Sequence, residues 1–506
     1  MWLMDMDMDM GRAGTEDMKP HGYSLLLPPH AVLCTVIASL LSACAAVGPD
    51  YQAPQPGVPA HWGTATDTRA PDAAVLAEWW RQFEDPLLNA LVDEALAANR
   101  ELATARAQLR EARARRALAG AQLGPALDAA ASAARSTSSE TLGTGATRDL
   151  YSAGFDAAWE PDIFGGLRRG REAAAAELDA SLETLRDTRV SLAAEVVLNY
   201  ADLRTAQRRL AVAEASVAAR HETHDLTRWR WQAGLVPELD VAQARTDLES
   251  AQAALPALRS AVSAARHRLA VLLGRNPGAL RERLAATAAV PLAGRAAAVG
   301  IPADVLRRRP DVRAAERRLA AQTARLGEAE AARYPGFRLS GSIGLEALSL
   351  SGLNNNGADA RSLLGAVTAP IFQSGRIRAN IGIQDALLEQ ARLAYETAVL
   401  AALEEVENAL VDVAATAERR ERLARAVAAA REAHTIAEQR YAAGLADFLS
   451  VLDSQRSLLS LEDQLASSTG ELAAAQIRLY KALGGGWAPA SASVAAPDTA
   501  HTRIDP

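Results

Sequence analysis

The longest regular pattern of apolar residues lies in residues 178–217. A seven-residue register that begins at Leu178 and Leu182 contains twelve positions there, and ten are apolar, with Arg189 and Asn199 as the exceptions. This period is typical of coiled-coil helices. With its flanks, residues 167–232, the predicted helix is about 100 Å long at 1.5 Å per residue. A compact globule does not need a helix of this length.

A second pattern, with a period of two, predicts β-strands between the helices. Apolar residues alternate with small or polar ones over residues 151–160 and 337–346, and weaker strands are predicted at 127–134 and 363–371. About ten alternating residues are what a membrane barrel strand requires. A half-buried sheet in a soluble domain would give the same alternation, so both interpretations stay open. The residues predicted to lie on membrane strands are Tyr151, Phe155, Trp159, Phe337, Leu339 and Ile343.

The chain contains an internal repeat with an offset of about 210 residues. Residues 231–235 (WQAGL) recur as residues 441–445 (YAAGL), and the same offset pairs Pro125 with Pro335 and Gly274 with Gly484. Each half reads helix, strand, strand, very long helix, turn, helix. Pro256, in the returning helix of the first half, predicts a kink or local break.

These patterns predict a mainly α protein with membrane β-strands, built from two halves. The predicted boundaries are 1–43 for a leader and signal peptide, 44–83 for an extended segment, 84–275 for the first repeat, 276–304 for a linker, 305–484 for the second repeat and 485–506 for a disordered tail.

Four strands cannot close a barrel, because the smallest single-chain membrane barrels have eight. A membrane also forbids open sheet edges, so any barrel must be shared between subunits. A homotrimer would supply twelve strands and twelve helices.

The N-terminal segment predicts export and lipidation. Residues 31–41 form an apolar run that is too short to span a bilayer and is typical of a signal peptide. The acidic residues 4–10 are a poor start for such a peptide, so translation from Met18 rather than Met1 is the alternative. Residues 41–44 (LSAC) match the bacterial lipoprotein signature, in which Cys44 becomes the acylated first residue. An ordinary signal peptide is the other possibility.

Composition excludes several functional classes. The net charge of -7, with Arg and Glu interspersed, argues against binding to nucleic acid. Both cysteines, Cys34 and Cys44, lie in the N-terminal segment, which leaves none for a disulfide or thiolate metal site downstream. His221 and His224 beside Asp225 are a weak metal motif, better explained as a solvated helix face. No phosphate-binding loop or nucleophile motif indicates an enzyme, and we expect no cofactor other than lipid on Cys44.

Several motifs together resemble the TolC-like outer-membrane factors of tripartite efflux systems, most closely their lipoprotein branch. They cover about residues 41–487. The motifs are residues 47–54 (VGPDYQAP), 59–62 (PAHW), 79–87 (WWRQFEDPL), 301–302 (IP), 308–316 (RRPDVRAAE) and 370–376 (PIFQSGR).

This resemblance implies a trimer in the outer membrane of a Gram-negative bacterium, with a twelve-stranded β-barrel continued by a twelve-helix α-barrel in the periplasm. It also implies a periplasmic adaptor protein and an inner-membrane pump, for which we expect a proton-driven exchanger. Outer-membrane lipid would surround the strands, and the duct would pass drugs or other small compounds.

The resemblance also assigns roles to the turns between long helices. The turns with Gly234 and Leu235, and with Gly444 and Leu445, would form the adaptor-docking end. Gate positions would be Leu449, Asp453 and Arg456, with Tyr441 before them and Asp240 at the related place in the first half. Leu449, Asp453 and Arg456 share one helical face. Arg456 would pair with an Asp of a neighbouring helix, and an ordinary surface pair is the alternative. Ser450 stands where some family members carry another Asp.

The sequence is compatible with two alternative functions. One is an exit duct for metal ions or for type I protein secretion. The other is a periplasmic coiled-coil lipoprotein without a pore.

Overall fold

The computed structural model describes residues 46–63, 72–141, 144–294 and 299–488. The chain falls into two units, Met1–Ala45 and Ala46–Pro506, and the first unit lies outside the described residues. Cys44 and the predicted signal peptide therefore cannot be placed.

The described chain is mainly helical, with one sheet. The helices are α1 (Ala73–Ala77), α2 (Pro86–Ala98), α3 (Arg100–Ala121), α4 (Gly166–Gln232), α5 (Glu238–Leu272), α6 (Pro302–Arg308), α7 (Pro310–Ala331), α8 (Arg376–Ala442) and α9 (Phe448–Ala482). The strands are β1 (Ala126–Thr137), β2 (Thr147–Trp159), β3 (Gly336–Ala347) and β4 (Asp359–Thr368). Short 3-10 helices span Trp79–Phe83 and Leu350–Asn354.

The two halves repeat each other element by element. Helices α3, α4 and α5 of the first half correspond to α7, α8 and α9 of the second, and each pair starts and ends 210 residues apart. Strands β1 and β3 are related by the same offset. The predicted order of elements is therefore confirmed, and so is the mainly α fold with two repeats.

The long helices α4 and α8 each contain 67 residues. At 1.5 Å per residue each is about 100 Å long. Both begin after a glycine in the left-handed conformation, Gly165 (φ 81°) and Gly375 (φ 82°). Helix α4 lies within one residue of the helix predicted from the heptad pattern.

The helices form four columns side by side. Helix α4 contacts α3 and α5 on one side and α7 and α9 on the other. Helix α8 contacts α7, α9 and the short α6, and no long helix of the described chain covers its other side. Two columns are thus continuous rods, α4 and α8, whereas the other two each consist of two shorter helices.

Equivalent residues join the shorter helices in both halves. Asn99 caps α3 by accepting from the Leu102 N–H, and its Nδ2 donates to the Leu272 carbonyl at the end of α5, at 2.9 Å. Arg309, 210 residues later, precedes α7 and donates through Nη1 to the Ala482 carbonyl at the end of α9, at 3.1 Å. A C-terminal carbonyl that α5 or α9 leaves unpaired thus accepts a hydrogen bond from the residue that precedes α3 or α7. We call these two places the column junctions.

The main hydrophobic core lies at the level of the junctions. Trp79, Trp80 and Leu88 are completely buried there, and the Trp79 ring stacks on Tyr480 at 5.1 Å. Burial of such large side chains is the main stabilising term of this region.

The conformation predicted for two segments is wrong in part. The segment 44–83 is not extended throughout, because α1 and the 3-10 helix Trp79–Phe83 lie within it. The segment 485–506 is not disordered from its start, because Trp487 is buried and lies against the Arg186 guanidinium at 4.6 Å.

Helix α5 continues through Pro256 without a break, so the predicted local break is absent. Pro256 is exposed, where its ring meets solvent rather than a neighbouring helix.

The four strands form one antiparallel sheet in the order β1-β2-β3-β4. The two halves meet where Gly154 lies opposite Gly344, and a Cβ on either glycine would come within 2.6 Å of a backbone oxygen of the other strand. Strand β4 ends at Thr368, not at residue 371 as predicted, because Pro370 has no N–H for the ladder.

The predicted strand residues occupy one face of β2 and β3. Phe155, Trp159, Leu339 and Ile343 are 40–55% exposed on it. Their contact with lipid remains a prediction. Within the described parts of the chain, no helix has the length and apolarity needed to cross a membrane.

Candidate functional site

Two hairpin turns lie at the end of the long helices. Gly234 (φ 73°) and Gly444 (φ 71°) follow α4 and α8, and this backbone conformation favours glycine. The Leu235 N–H donates to the Arg230 carbonyl at 2.9 Å, and Leu445 donates to Arg440 at 2.8 Å. This is the hydrogen-bond pattern of a Schellman motif, which ends a helix sharply.

The turns present apolar side chains to the outside. Leu235 is 72% exposed and Leu445 is 70% exposed. Exposed large apolar residues at a helix-hairpin end are typical of a contact surface. The two turns therefore have the shape and chemistry expected of docking points, and their role in docking remains a prediction.

Tyr441 connects the two hairpins near the turns. Its ring packs against Phe448 at 5.6 Å, and the Arg230 guanidinium of α4 lies 4.6 Å from its centroid. Phe448 also packs with Ala244 of α5 and Leu452 of α9. Tyr441 therefore acts as a structural link between hairpins rather than as a freely exposed side chain.

Arg456 forms an ion pair between the two hairpins. Its Nε donates to Oδ1 of Asp247 on α5 at 2.7 Å, whereas Asp453 on its own helix is 3.8 Å away. Asp247 is buried, and Arg220 of α4 lies 2.9 Å from its other carboxylate oxygen. One carboxylate thus joins three helices from both halves of the chain.

Leu449 and three further aspartates lie between this cluster and the hairpin turns. Leu449 is 48% exposed and the Asp453 side chain is 65% exposed, both on α9. Asp240, in the first turn of α5, is half-buried, and burial together with the nearby Asp447 raises the pKa of its carboxyl. Asp447 caps α9 by accepting from the Ser450 N–H at 2.9 Å. The Asp240 and Asp447 carboxylates thus lie near each other beside the turns, and that of Asp240 is partly desolvated.

The sequence reasoning expected an Asp partner for Arg456 but did not identify Asp247 or Arg220. A signal was present in the pattern of α5. Asp247 follows Ala244 and precedes Leu248 on the buried face, and a charged residue at such a position requires a partner. The missing information was the relative height of α5 and α9, which depends on the tertiary fold.

The weak histidine motif has a simple structural explanation. His221 Nδ1 lies 3.1 Å from Asp225, and Arg228 lies 3.4 Å from the same residue. Among the residues that the structure describes, no group of three or more His, Cys, Asp or Glu is arranged to hold a metal ion.

A family model described as outer membrane efflux protein matches residues 91–275 and 301–485, one segment in each structural half. The chain belongs to the outer membrane efflux protein family. The expected resemblance is thereby confirmed.

Individual members of this family agree with the assignment. The chain is 33% identical to nodulation protein T of Rhizobium leguminosarum bv. trifolii over 460 residues, which cover 89% of this chain and 96% of that protein. It is also 33% identical to the pyoverdine export outer membrane protein OpmQ of Pseudomonas putida over 476 residues, 92% of this chain and 98% of that one.

A solved structure shows the same fold. The outer-membrane channel OprN superposes with a TM-score of 0.83 at 38% identity, covering 88% of this chain and 100% of that one. As a family member with this architecture, the chain is an outer-membrane channel that serves as the exit duct of an export system. The family consists of channel proteins.

Proposed function

We propose that three copies of the chain form a lipid-anchored duct that passes small compounds from the periplasm to the exterior. A periplasmic adaptor would dock at the hairpin turns, and a proton-driven inner-membrane exchanger would supply the energy. The relative named for pyoverdine export supports a small-molecule cargo for this family branch.

The proposal rests on two features that occur in the same chain. One is a four-stranded sheet with unpaired edges, and the other is the great length of the helical hairpins. Each copy supplies four strands, fewer than the eight of the smallest single-chain barrels, and three copies would supply twelve. Helices about 100 Å long suit a tube that extends away from the sheet into the periplasm.

The Arg456–Asp247 contact suggests how the tube is closed. We propose that it holds the second hairpin against the first, so that Leu449 and Asp453 narrow the pore in a three-fold assembly. Opening would separate the α5 and α9 ends, and Asp247 would then keep Arg220 as its partner. The carboxylate is therefore never buried without a counter-charge, which keeps the cost of opening small.

Single-channel recording in planar lipid bilayers tests the gate. Asp453→Ala combined with Arg456→Ala is expected to raise the leak conductance of the isolated trimer severalfold, because the link between α5 and α9 is lost while Asp247 remains paired.

A matched control is available further along α9. Arg209 and Asp463 form a bidentate ion pair between α4 and α9, at 2.8 and 3.0 Å. Arg209→Ala combined with Asp463→Ala should leave the conductance unchanged. If the two double variants behave alike, Asp453 and Arg456 do not form the gate.

The duct itself is tested separately. The purified protein should migrate as a heat-modifiable trimer and resist extraction from membranes by alkaline carbonate. A stable monomer that carbonate extracts would contradict the duct.

A further inference from the structure

The first described part of the chain runs along the helices as an extended segment. Residues 49–59 form neither helix nor strand, although they contact three of the helices. The segment contains four prolines, Pro49, Pro54, Pro56 and Pro59. Proline favours the polyproline II conformation, in which a chain rises about 3.1 Å per residue and is semi-rigid. We call residues 47–63 the tether.

Arg169 of α4 holds the sheet end of the tether. Its Nε donates to the Val47 carbonyl at 3.1 Å, and its Nη2 donates to the Gly48 carbonyl at 3.2 Å and to the Asp50 carboxylate at 2.8 Å. Arg169 is 4% exposed, so its buried guanidinium depends on these acceptors. Gly48 also lies so close to α7 that a Cβ on it would overlap the Gly327 backbone.

The other end of the tether is fixed beside the second column junction. The Trp62 Nε1 donates to a backbone carbonyl just before α6 at 3.0 Å, and the Trp62 ring is buried. The Gly63 N–H donates to the Glu407 carboxylate of α8 at 2.7 Å. Two residues earlier on the same helix, Glu405 accepts from Arg309 of the junction at 2.7 Å. The tether therefore reaches α8 at the level of the junction.

Between its ends the tether crosses α7 on its way from α4 to α8. The Tyr51 hydroxyl donates to Glu316 of α7 at 3.0 Å. Val58 packs against a cluster that contains Tyr395 and Val399 of α8. Helices α4 and α8 are the two continuous rods of the copy, and α7 lies between them. The tether thus connects the two rods diagonally across the intervening column.

The length of the tether leaves it little slack. From Arg376, at the start of α8, to Glu407 is about 46 Å at 1.5 Å per residue. In the internal repeat, the start of α8 corresponds to the start of α4, beside which Val47 bonds to Phe164. Residues 47–63 reach about 50 Å as polyproline II and at most about 58 Å when fully extended. A movement of α8 away from the sheet by more than about 10 Å would exceed this reach, and smaller movements would straighten the tether.

We propose that the tether limits how far α8 can move along α4, and that it thereby confines the movements of opening to the helix segments between the column junctions and the hairpin turns. This inference rests on the proposed duct and goes further, because it gives the N-terminal segment a part in regulating the pore. A segment that only covered the groove between α7 and α8 would work at any length, whereas a tether acts through its length.

Lengthening the tether tests this difference. Insertion of Gly-Gly after Gly57, which is exposed and has open space around it, adds about 7 Å of reach while both ends keep their contacts. Single-channel recording of the trimer in planar lipid bilayers should show a leak conductance that is raised severalfold, because α8 can carry the second hairpin away from the first. Gly57→Ala changes the same site without changing the length, and it should leave the conductance unaltered.

Releasing the sheet end should act in the same direction. Arg169→Gln removes the bonds to the tether and is expected to raise the leak conductance. Arg171→Gln is the matched control, because Arg171 is an exposed arginine on the same helix. If Arg169→Gln fails to fold, the insertion variant decides, since it leaves every contact in place.

Spin labels measure the movement of the rods themselves. Asp179→Cys and Glu389→Cys place labels at exposed, corresponding positions of α4 and α8, between the sheet and the junctions. Double electron–electron resonance on trimers with one labelled copy should give a narrow distribution of label distances, which broadens after the Gly-Gly insertion. The chain without these two substitutions gives the background from Cys34 and Cys44.

The outcomes separate the tether from the duct. A protein that forms no channel at all would overturn the proposed function. A channel in which Asp453→Ala with Arg456→Ala raises the leak, while the insertion changes neither the leak nor the label distances, would overturn the tether and leave the duct standing.

Discussion

Single residues at the column junctions show what the sequence reveals and what it hides. Asn99 before a helix is a familiar capping signal, and it does cap α3. Its second bond, to the Leu272 carbonyl, depends on where α5 ends in space and has no local signal. Arg309 lies within a motif that the resemblance singled out, but its contact with Ala482 also appears only in the fold.

Asp187 of α4 lies near the second column junction, in an environment that disfavours its charged form. Burial and the nearby Asp311 raise the pKa of its carboxyl, and Lys481 and Arg309 compensate only in part. Because the folded-state pKa lies above the unfolded one, the charged carboxylate destabilises the fold at neutral pH. Lowering the pH through the folded-state pKa removes this penalty.

Asp187→Asn is therefore expected to raise the melting temperature at neutral pH, and the gain should disappear in acid. Thermal unfolding followed by circular dichroism at several pH values measures this. Asp179→Asn, at an exposed position of the same helix, is the control and should change little. A loss of stability at neutral pH would mean that Arg309 and Lys481 outweigh the cost of burial.

At the level of elements, periodicity predicted the long helices well. The heptad register of α4 remains regular for many turns, and the turn at Gly234 requires a positive φ that ends the helix at a defined residue. Short elements were harder, because α1 and the 3-10 helix Trp79–Phe83 take their conformation from the core around Trp79. Their local sequence carries no repeat long enough to reveal them.

Helix α5 tolerates Pro256 in its interior, at a position that costs about 3 kcal/mol or more in a regular helix. Pro256→Ala should therefore raise the free energy of unfolding by about 1–3 kcal/mol, the lower values applying if α5 has relaxed around the ring. Urea unfolding measures the change.

Pro86→Ala is the matched control for this prediction. Pro86 occupies the first turn of α2, where the missing N–H has no helical partner to lose, so little change is expected. Equal effects of the two substitutions would show that the proline ring in α5 is not a source of strain.

At the level of the whole molecule, the repeat was the most informative feature of the sequence. It predicted the order of elements and the shortage of strands, which together indicate a shared assembly. The asymmetry between the two halves was not predictable, because only the fold shows that α4 has long neighbours on both sides and α8 on one side of the described chain.

The lipid anchor is a whole-molecule prediction because it fixes the chain to a membrane. The Val47 N–H donates to the Phe164 carbonyl at the base of the sheet. The described chain thus starts near the base of the sheet, and Cys44 lies outside it.

Metabolic labelling with palmitate tests this anchor. Cys44→Ser should abolish the label, and Cys34→Ser should retain it, since Cys34 lies within the predicted signal peptide. Label that persists in Cys44→Ser would exclude Cys44 as the acceptor.

The column junctions have a mechanical consequence. Among the described helices, only α4 and α8 cross the level of Asn99 and Arg309 without interruption, so a twisting force at the hairpin turns would reach the sheet end through two continuous helices per copy. Each of the other two columns is divided between two helices. A small rotation there would strain the hydrogen bonds at the column junctions rather than bend a continuous helix. The tube is therefore expected to twist at the level of the column junctions, while the part between the junctions and the sheet stays rigid.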